Sequence, residues 1–157
     1  MAIVRFVSGT GLGGAAIKWY TSSQWSHVEF WTPVGYLGSR INGGVQIRPY
    51  NYTGFDNQEF REYKLPTDAE LALMNWADAQ IGKGYDWLAI MALPLHRDWK
   101  SEENWFCSEY VAAAFEHAGY PIVAPDTQLS KVTPRDVSLC TSLKLIPPPQ
   151  GVPVVSP

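Results

Sequence analysis

One cysteine stands where a helix is expected to begin. Cys107 lies in the run NWFCSEYVAAAFEHAG (104–119), and Asn104 is the expected N-cap, which puts the thiol in the first helical turn. Free backbone N–H groups and the helix dipole favour an anion there, so they lower the pKa of a thiol and can hold an oxyanion. A buried helical stripe with Val111 and Ala114 is the ordinary alternative. Cys107 is therefore a candidate nucleophile or a core residue.

A thiol that attacks an acyl group needs a base close to it in space, and the chain offers three histidines. His27 opens an expected strand, from which a sheet could present its ring to the start of a helix. His96 lies in a loop that precedes the Cys107 helix. His117 is ten residues past Cys107 on one helix. At 1.5 Å per residue it lies about 15 Å away and cannot reach the thiol. The pattern leaves His27 and His96 as candidate bases.

The second cysteine, Cys140, has neither a helix start nor a basic residue near it, so we expect it to be structural. A disulfide with Cys107 stays open, but two cysteines in 157 residues do not make a disulfide framework. No CxxC or HxxxH spacing indicates a metal site, and no cofactor is expected.

Composition and charge narrow the class of protein. Hydrophobic residues make up 46% of the chain and charged residues 17%, which is typical of a globular domain. The net charge is −3 and no segment carries a basic stripe, so no nucleic-acid partner is expected. The N-terminus lacks the pattern of a secretory signal, and no apolar run is long enough to span a bilayer. We expect synthesis in the cytoplasm, with the site of action left open.

The candidate residues must be positioned by strands in the first half of the chain and helices in the second. The pattern predicts strands at 2–7, 27–32, 36–41, 45–48 and 60–65, and helices at 15–20, 66–81 and 106–118. Such an order predicts an α+β fold, with a small antiparallel sheet packed against helices. We expect one domain at 1–145, followed by an extended, proline-rich tail at 146–157.

The helix at 66–81 has the clearest local signals. Thr67 and Glu70 have the spacing of a capping box. Leu71, Met74 and Ala77 form its expected apolar stripe.

Several of these segments together resemble a known family. The runs IGKGYDW (81–87) and WFCSEYVAAAFEHAG (105–119) resemble the cysteine half of the NlpC family of cell-wall peptidases, which are papain-like. The runs WSHVEFWTP (25–33) and GGVQIRP (43–49) resemble its histidine half. The two halves stand in reversed order, as in the circularly permuted branch of that family, and KVTPRDV (131–137) resembles its closing segment.

The resemblance implies a role for each matching residue. Cys107 matches the nucleophile, His27 the base, and Tyr85 a cleft tyrosine that binds substrate. The position of the third catalytic residue, usually His, Glu, Gln or Asn, is held here by Ser39, whose hydroxyl accepts a hydrogen bond only weakly. Glu29 shares a strand face with His27 and is an alternative orienter, or a wall of the cleft that contacts substrate.

The implied function is hydrolysis of amide bonds in peptidoglycan stem peptides through a Cys-His thioester mechanism. Two alternatives stay open. One is an inert module of a larger, phage-borne assembly, docked through the proline-rich tail. The other is a thiol hydrolase that acts on acyl esters or lipids. If the protein hydrolyses peptidoglycan, we expect it to be virion-associated or delivered to the cell wall.

One further motif has the form of a nucleotide site. Gly9, Gly11 and Gly14 fit G-x-G-x-x-G after a strand and before a helix, and Glu29 follows Gly9 by twenty residues. The segments that follow, however, predict hairpins rather than further βα units, so the context of a dinucleotide fold is missing. We interpret the motif as a glycine-rich loop that leads into a helix.

This interpretation predicts that the purified protein binds neither NAD nor ATP. Isothermal titration calorimetry with each nucleotide should show no saturable heat. A dissociation constant in the micromolar range would restore the nucleotide-site interpretation.

Overall fold

This computed structural model describes residues 1–86 and 104–152 of the chain, which form strands and helices around a buried core. The elements are β1 (Ala2–Gly9), α1 (Leu12–Thr21), β2 (His27–Thr32), β3 (Gly35–Arg40), β4 (Gly44–Arg48), β5 (Phe55–Tyr63), α2 (Thr67–Ala79), β6 (Gly84–Tyr85), β7 (Asn104–Trp105), α3 (Cys107–His117), a 3-10 helix (Leu129–Lys131), α4 (Pro134–Ser138) and β8 (Lys144–Ile146).

Six strands form one antiparallel sheet in the order β4-β3-β2-β1-β5-β8. Together with four α-helices in the described residues, this sheet confirms the predicted α+β class. The predicted strands and helices all occur, and β5 begins five residues earlier than the pattern indicated. Strands β6 and β7 form a separate parallel pair.

The main core lies between the sheet and helices α2 and α3. Val28 and Phe30 of β2 belong to this core, and the Phe30 ring lies 5.9–6.0 Å from the rings of Tyr110 and Phe115 on α3. The hydroxyl of Tyr110 donates to the carbonyl of Ala77, 3.0 Å away, and so joins α3 to α2. The position of α3 against β2 is therefore fixed by aromatic packing and one buried hydrogen bond.

The opposite face of the sheet carries a second, smaller cluster around Ile3, Tyr36 and Phe60. Because side chains alternate along a strand, Arg5 and Glu29 point to this face, opposite each other on β1 and β2. Both side chains are almost fully buried, at 0% and 1% exposure. A buried ion pair thus occupies two positions of the sheet at which apolar residues are usual.

Local helix signals were misleading at two helix starts. Helix α2 begins at Thr67, and its N-cap is Pro66, so the predicted capping box is wrong. The Glu70 carboxylate binds the terminal amine of Met1 instead. The N-cap of helix α3 is Phe106 rather than the predicted Asn104. Asn104 belongs to β7 and pairs with Gly84 of β6.

The apolar stripe of α2 is also shifted from the prediction. Its buried residues are Ala69, Leu73 and Ala77, while Leu71 is 58% exposed. Helix α2 packs against α3, and the carbonyl of Ala77 accepts the Tyr110 hydroxyl there.

The predicted tail is ordered at its start. Ile146 is the last residue of β8 and pairs with Phe60 of β5, and Val152 packs against the second cluster. No helix in the described ranges has the length and apolar character needed to cross a membrane.

A close approach between β4 and the chain before β6 generates a prediction about Gly44. Its φ is +64°, and a Cβ there would lie 2.0 Å from the carbonyl oxygen of Lys83. Gly54 also has a positive φ, of +106°, but its Cβ would meet nothing within 4 Å. We expect Gly44→Ala to lower the free energy of unfolding by about 1–3 kcal/mol more than Gly54→Ala, because it adds overpacking to backbone strain.

Urea denaturation of both variants measures this difference. Equal losses would show that the approach of β4 to Lys83 is not tight.

Candidate active site

The site is built around a gap between β2 and β3. These strands pair only over Phe30–Thr32 and Gly35–Leu37, so β2 has no ladder partner on this side before Phe30. The start of α3 fills the gap: the Ser39 hydroxyl of β3 donates to the carbonyl of Trp105 at 2.6 Å. Cys107 follows two residues later.

Cys107 is the first residue of α3, and it is 1% exposed. Burial raises the pKa of its thiol to about 11, although backbone N–H donors of Val28 and Ser108 and the charge of Arg40 act in the opposite direction. The expectation that a helix start lowers this thiol pKa is therefore wrong. The N–H donors favour the thiolate, but burial disfavours it more strongly. Both Cys107 and Cys140 are free thiols, so no disulfide joins them.

His27 is the first residue of β2 and precedes Val28, the donor to the thiol. Its Nε2 lies 3.1 Å from Oε2 of Glu29. Burial lowers the pKa of the imidazole to about 4, the charge of Arg40 adds to this, and the Glu29 hydrogen bond only partly offsets it. The ring is therefore neutral at pH 7. With the Nε2 proton donated to the Glu29 carboxylate, Nδ1 is the atom left to accept a proton.

Glu29 is bound by side chains from several parts of the fold. Its Oε1 accepts from Arg5 at 2.8 Å and from the Tyr52 hydroxyl at 2.6 Å. Its Oε2 accepts from Arg40 at 3.5 Å, in addition to His27. Burial alone would raise the pKa of this carboxyl, but the hydrogen bond and charge of His27 and the two arginines outweigh it. Its pKa therefore lies well below the usual range, and the group stays ionised.

Arg5 has further contacts besides its ion pair with Glu29. Its guanidinium lies over the rings of Tyr36 and Phe55, at 3.9 and 4.3 Å from their centres, and its Nε donates to Gln58 at 2.8 Å. Arg5 and Tyr52 were both missed by sequence analysis. A charge in the middle of the apolar run AIVRFV, and another in HVEFWT, was the signal that could have found the Arg5–Glu29 pair.

The structure joins His27 to Glu29 and joins the Cys107 thiol to the backbone N–H of Val28. It separates Ser39 from its expected role, because the Ser39 hydroxyl donates to Trp105 rather than contacting the imidazole. In the described residues, no hydrogen bond joins the thiol to the imidazole, because alternation along β2 sends His27 to the face opposite Val28. The alternative base, His96, lies outside the described residues.

Tyr85 lies near enough to Cys107 for the two groups to influence each other electrostatically. It belongs to β6 and pairs with Trp105, and its ring centre is 6.0 Å from that of Phe106. Burial, and then the proximity of Cys107, raises the pKa of its hydroxyl well above the usual value, so the hydroxyl stays protonated. A protonated phenol near the thiol can donate a hydrogen bond to a substrate oxygen.

A cavity of about 290 Å³ opens beside these groups. Its lining includes His27, Tyr85, Arg40, Arg48 and Tyr52. No set of three or more His, Cys, Asp or Glu side chains in the described ranges could hold a metal ion.

The lowered pKa of His27 predicts how stability depends on pH. Because the folded state disfavours the protonated ring, the full stability is present above the unfolded pKa of about 6.5 and is lost as pH falls toward the folded value of about 4. We expect the free energy of unfolding to fall by about 2 kcal/mol between pH 7 and pH 5. Urea denaturation at the two pH values measures this loss.

The control is His27→Gln, which should remove most of the dependence in this range. An NMR titration gives an independent check: a midpoint near 6.5 for the His27 ring would contradict the buried, neutral imidazole.

Comparisons with known proteins give a fold but no family. No protein-family model matches the chain, and a search of curated proteins found no match. Among solved structures, the chain is similar to the crystal structure of the metalloprotein yiiX from Escherichia coli O157:H7, DUF1105. The two superpose with a TM-score of 0.72 at 17% sequence identity, over 93% of this chain and 95% of that one. A likeness at this identity shows a shared fold alone.

The resemblance to the NlpC family is corrected by this finding. The solved structure that resembles this chain is described as a DUF1105 metalloprotein, and nothing in the described strand order or the comparisons shows a papain-like fold or a circular permutation. The motifs misled because each was short: a cysteine at a helix start, a histidine on a strand and a glycine turn occur in many α+β folds. The α+β architecture is what the chain shares with its solved neighbour.

Proposed function

We propose that this protein is a thiol hydrolase that cleaves acyl bonds, foremost amides, through a thioester on Cys107. One observation carries the proposal: a cysteine at the start of α3 accepts the backbone N–H of Val28, and the preceding residue, His27, is bound through Nε2 to a buried carboxylate. In this proposal Cys107 is the nucleophile, His27 is the base and Glu29 is the residue that orients the base.

Both reacting groups are neutral at rest, which determines how the first step proceeds. The thiol pKa of about 11 and the imidazole pKa of about 4 disfavour a resting thiolate–imidazolium pair. The sulfur therefore attacks the acyl carbon while Nδ1 of His27 takes the thiol proton, and the carbonyl electrons move to oxygen. Bound substrate must bring thiol and imidazole into contact, as often happens only in the complex.

The groups around Cys107 suit the charges that then develop. Backbone N–H groups at the start of α3 and the protonated hydroxyl of Tyr85 can donate to the oxyanion. The imidazolium gives its proton to the departing amine or alcohol as the C–N or C–O bond breaks. Water, deprotonated by the neutral His27, then attacks the thioester and releases the acid, with the proton returned to sulfur.

Glu29 takes the orienting role in this proposal, in place of Ser39. Its carboxylate fixes the tautomer of His27 and stabilises the imidazolium that forms in each step. The Ser39 hydroxyl, bonded to Trp105, supports the start of α3 instead.

The name of the structural neighbour raises the question of a metal. The residues described in this chain supply no set of three metal ligands, and the Glu29 carboxylate is occupied by Arg5, Tyr52, Arg40 and His27. The proposal therefore contains no step that uses a metal.

The proposal predicts the behaviour of four variants. Peptide amides, including peptidoglycan stem peptides, are the first substrates to test, and simple acyl esters are the second. Cys107→Ser should abolish release of new amino groups, and His27→Ala should reduce the rate about 10²–10⁴-fold. Glu29→Gln should lower kcat more than Ser39→Ala, because only Glu29 contacts the base. Amine release and mass spectrometry of a trapped acyl-enzyme provide the measurements.

The matched control is Cys140→Ser, which should keep full activity. The losses from Cys107→Ser and His27→Ala should not add in the double variant, because nucleophile and base act as one unit. If the wild type releases nothing from amides or esters and forms no acyl-enzyme, the chain is an inert module, and binding to a larger assembly through residues 146–157 becomes the better proposal.

A further inference from the structure

The cavity beside His27 is unusually positive for a protein of net charge −3. Two arginines, Arg40 of β3 and Arg48 of β4, line it together with His27, Tyr52 and Tyr85. None of its lining residues in the described ranges is Asp or Glu. The cavity therefore offers hydrogen-bond donors and positive charge to whatever enters it.

The buried carboxylate behind the cavity does not cancel this charge. Glu29 is 1% exposed, and its strongest ion pair is with the Arg5 guanidinium, 2.8 Å away. Arg40 reaches Glu29 only at 3.5 Å and also donates to the Tyr52 hydroxyl. This one carboxylate thus faces three guanidinium groups, Arg5, Arg40 and Arg48, which leaves two positive charges unbalanced.

Arg48 has the least compensated charge. Its Nη2 donates to the carbonyl of Asn42 at 2.7 Å, and its Nε is buried without a hydrogen-bond partner in the described structure. No acidic side chain of the described residues forms an ion pair with it. A guanidinium with unused donors at a cavity wall is suited to a planar carboxylate, which it can bind in a bidentate manner.

We propose that this cavity binds a carboxylate of the substrate, through Arg48 and Arg40, and so selects acyl substrates that carry a negative charge near the cleaved bond. The inference rests on the proposed hydrolase function, because His27 is both a wall of the cavity and the base. A cavity of about 290 Å³ has room for roughly one amino-acid unit beside the acyl group. One carboxylate matches Arg48, because Arg48 is the cavity arginine that has no ion pair among the described residues.

The test is binding of matched small ligands to the full-length protein, with Cys107→Ser used so that turnover does not interfere. N-acetyl-L-alanine carries the carboxylate, N-acetyl-L-alaninamide is its neutral counterpart, and methyl phosphate is the competing anion. Calorimetry at pH 7 and low salt should show the carboxylate binding at least about tenfold tighter than the amide, since hydrogen bonds to charged groups are the stronger kind. NMR should show the His27 ring signals shifting on binding.

Arginine variants locate the site. Arg48→Gln should reduce the carboxylate affinity about tenfold and abolish the preference over the amide, and Arg48→Lys should recover part of it. Arg135→Gln is the matched control, because Arg135 is exposed on α4 and outside the cavity lining. It should bind like the parent protein.

Each other outcome decides a separate point. Equal affinity for carboxylate and amide, or equal effects of Arg48→Gln and Arg135→Gln, would overturn the carboxylate site. Tighter binding of methyl phosphate than of N-acetyl-L-alanine would overturn it in favour of a phosphate ligand. If the wild type cleaves nothing but binds carboxylates selectively, the hydrolase proposal is refuted and the carboxylate site stands. If the wild type cleaves substrates without a preference for carboxylates, the carboxylate site is refuted and the hydrolase proposal stands.

Discussion

The buried carboxylate of Glu29 is the group on which the rest of the site depends. It binds Arg5 from β1, His27 from β2, Arg40 from β3 and Tyr52 from the segment between β4 and β5. Four segments of the chain therefore converge on one charge. Breaking a buried pair by removing one partner costs about 3–5 kcal/mol, because the other charge stays behind unpaired. Gly38 makes the arrangement sterically possible, since a Cβ there would lie 2.7 Å from the Cβ of Glu29.

Burial sets the chemistry of the site through two opposite pKa shifts. It raises the pKa of the Cys107 thiol to about 11 and lowers that of the His27 imidazole to about 4, so neither carries a charge at neutral pH. A neutral pair is less costly to keep in a low-dielectric interior than an ion pair. In the proposed reaction, proton transfer must therefore accompany attack on the substrate. Under that proposal Glu29 supplies a fixed negative charge beside His27, which stabilises the imidazolium when it forms.

The sequence was sufficient where structure follows from local pattern and insufficient where it follows from tertiary contacts. Alternation of apolar residues predicted the strands and the α+β class, and the start of the Cys107 helix was correct to one residue. The prediction that Asn104 caps α3 was wrong because Asn104 instead pairs with Gly84 in a short strand. The thiol pKa was wrong in direction because the depth of burial at a helix start cannot be read from the helix itself. The Arg5–Glu29 pair needed the β1–β2 register, which sets these two charges opposite each other.

The proposed reaction needs groups from both faces of the sheet, and the gap between β2 and β3 is the place where they can approach each other. Helix α3 packs on the apolar face of the sheet, while His27, Glu29 and the cavity arginines lie on the other face. A fully paired sheet would separate the thiol from its base. Pairing of β2 with β3 stops at Phe30, and the free N–H of Val28 binds the Cys107 sulfur, which brings the thiol to the level of the sheet itself. Ser39, whose hydroxyl holds the Trp105 carbonyl at 2.6 Å, then fixes the start of α3 inside the opening. The importance of Ser39 to the site therefore lies in keeping the sheet open, since its hydroxyl is already committed to the backbone and has no contact with the base.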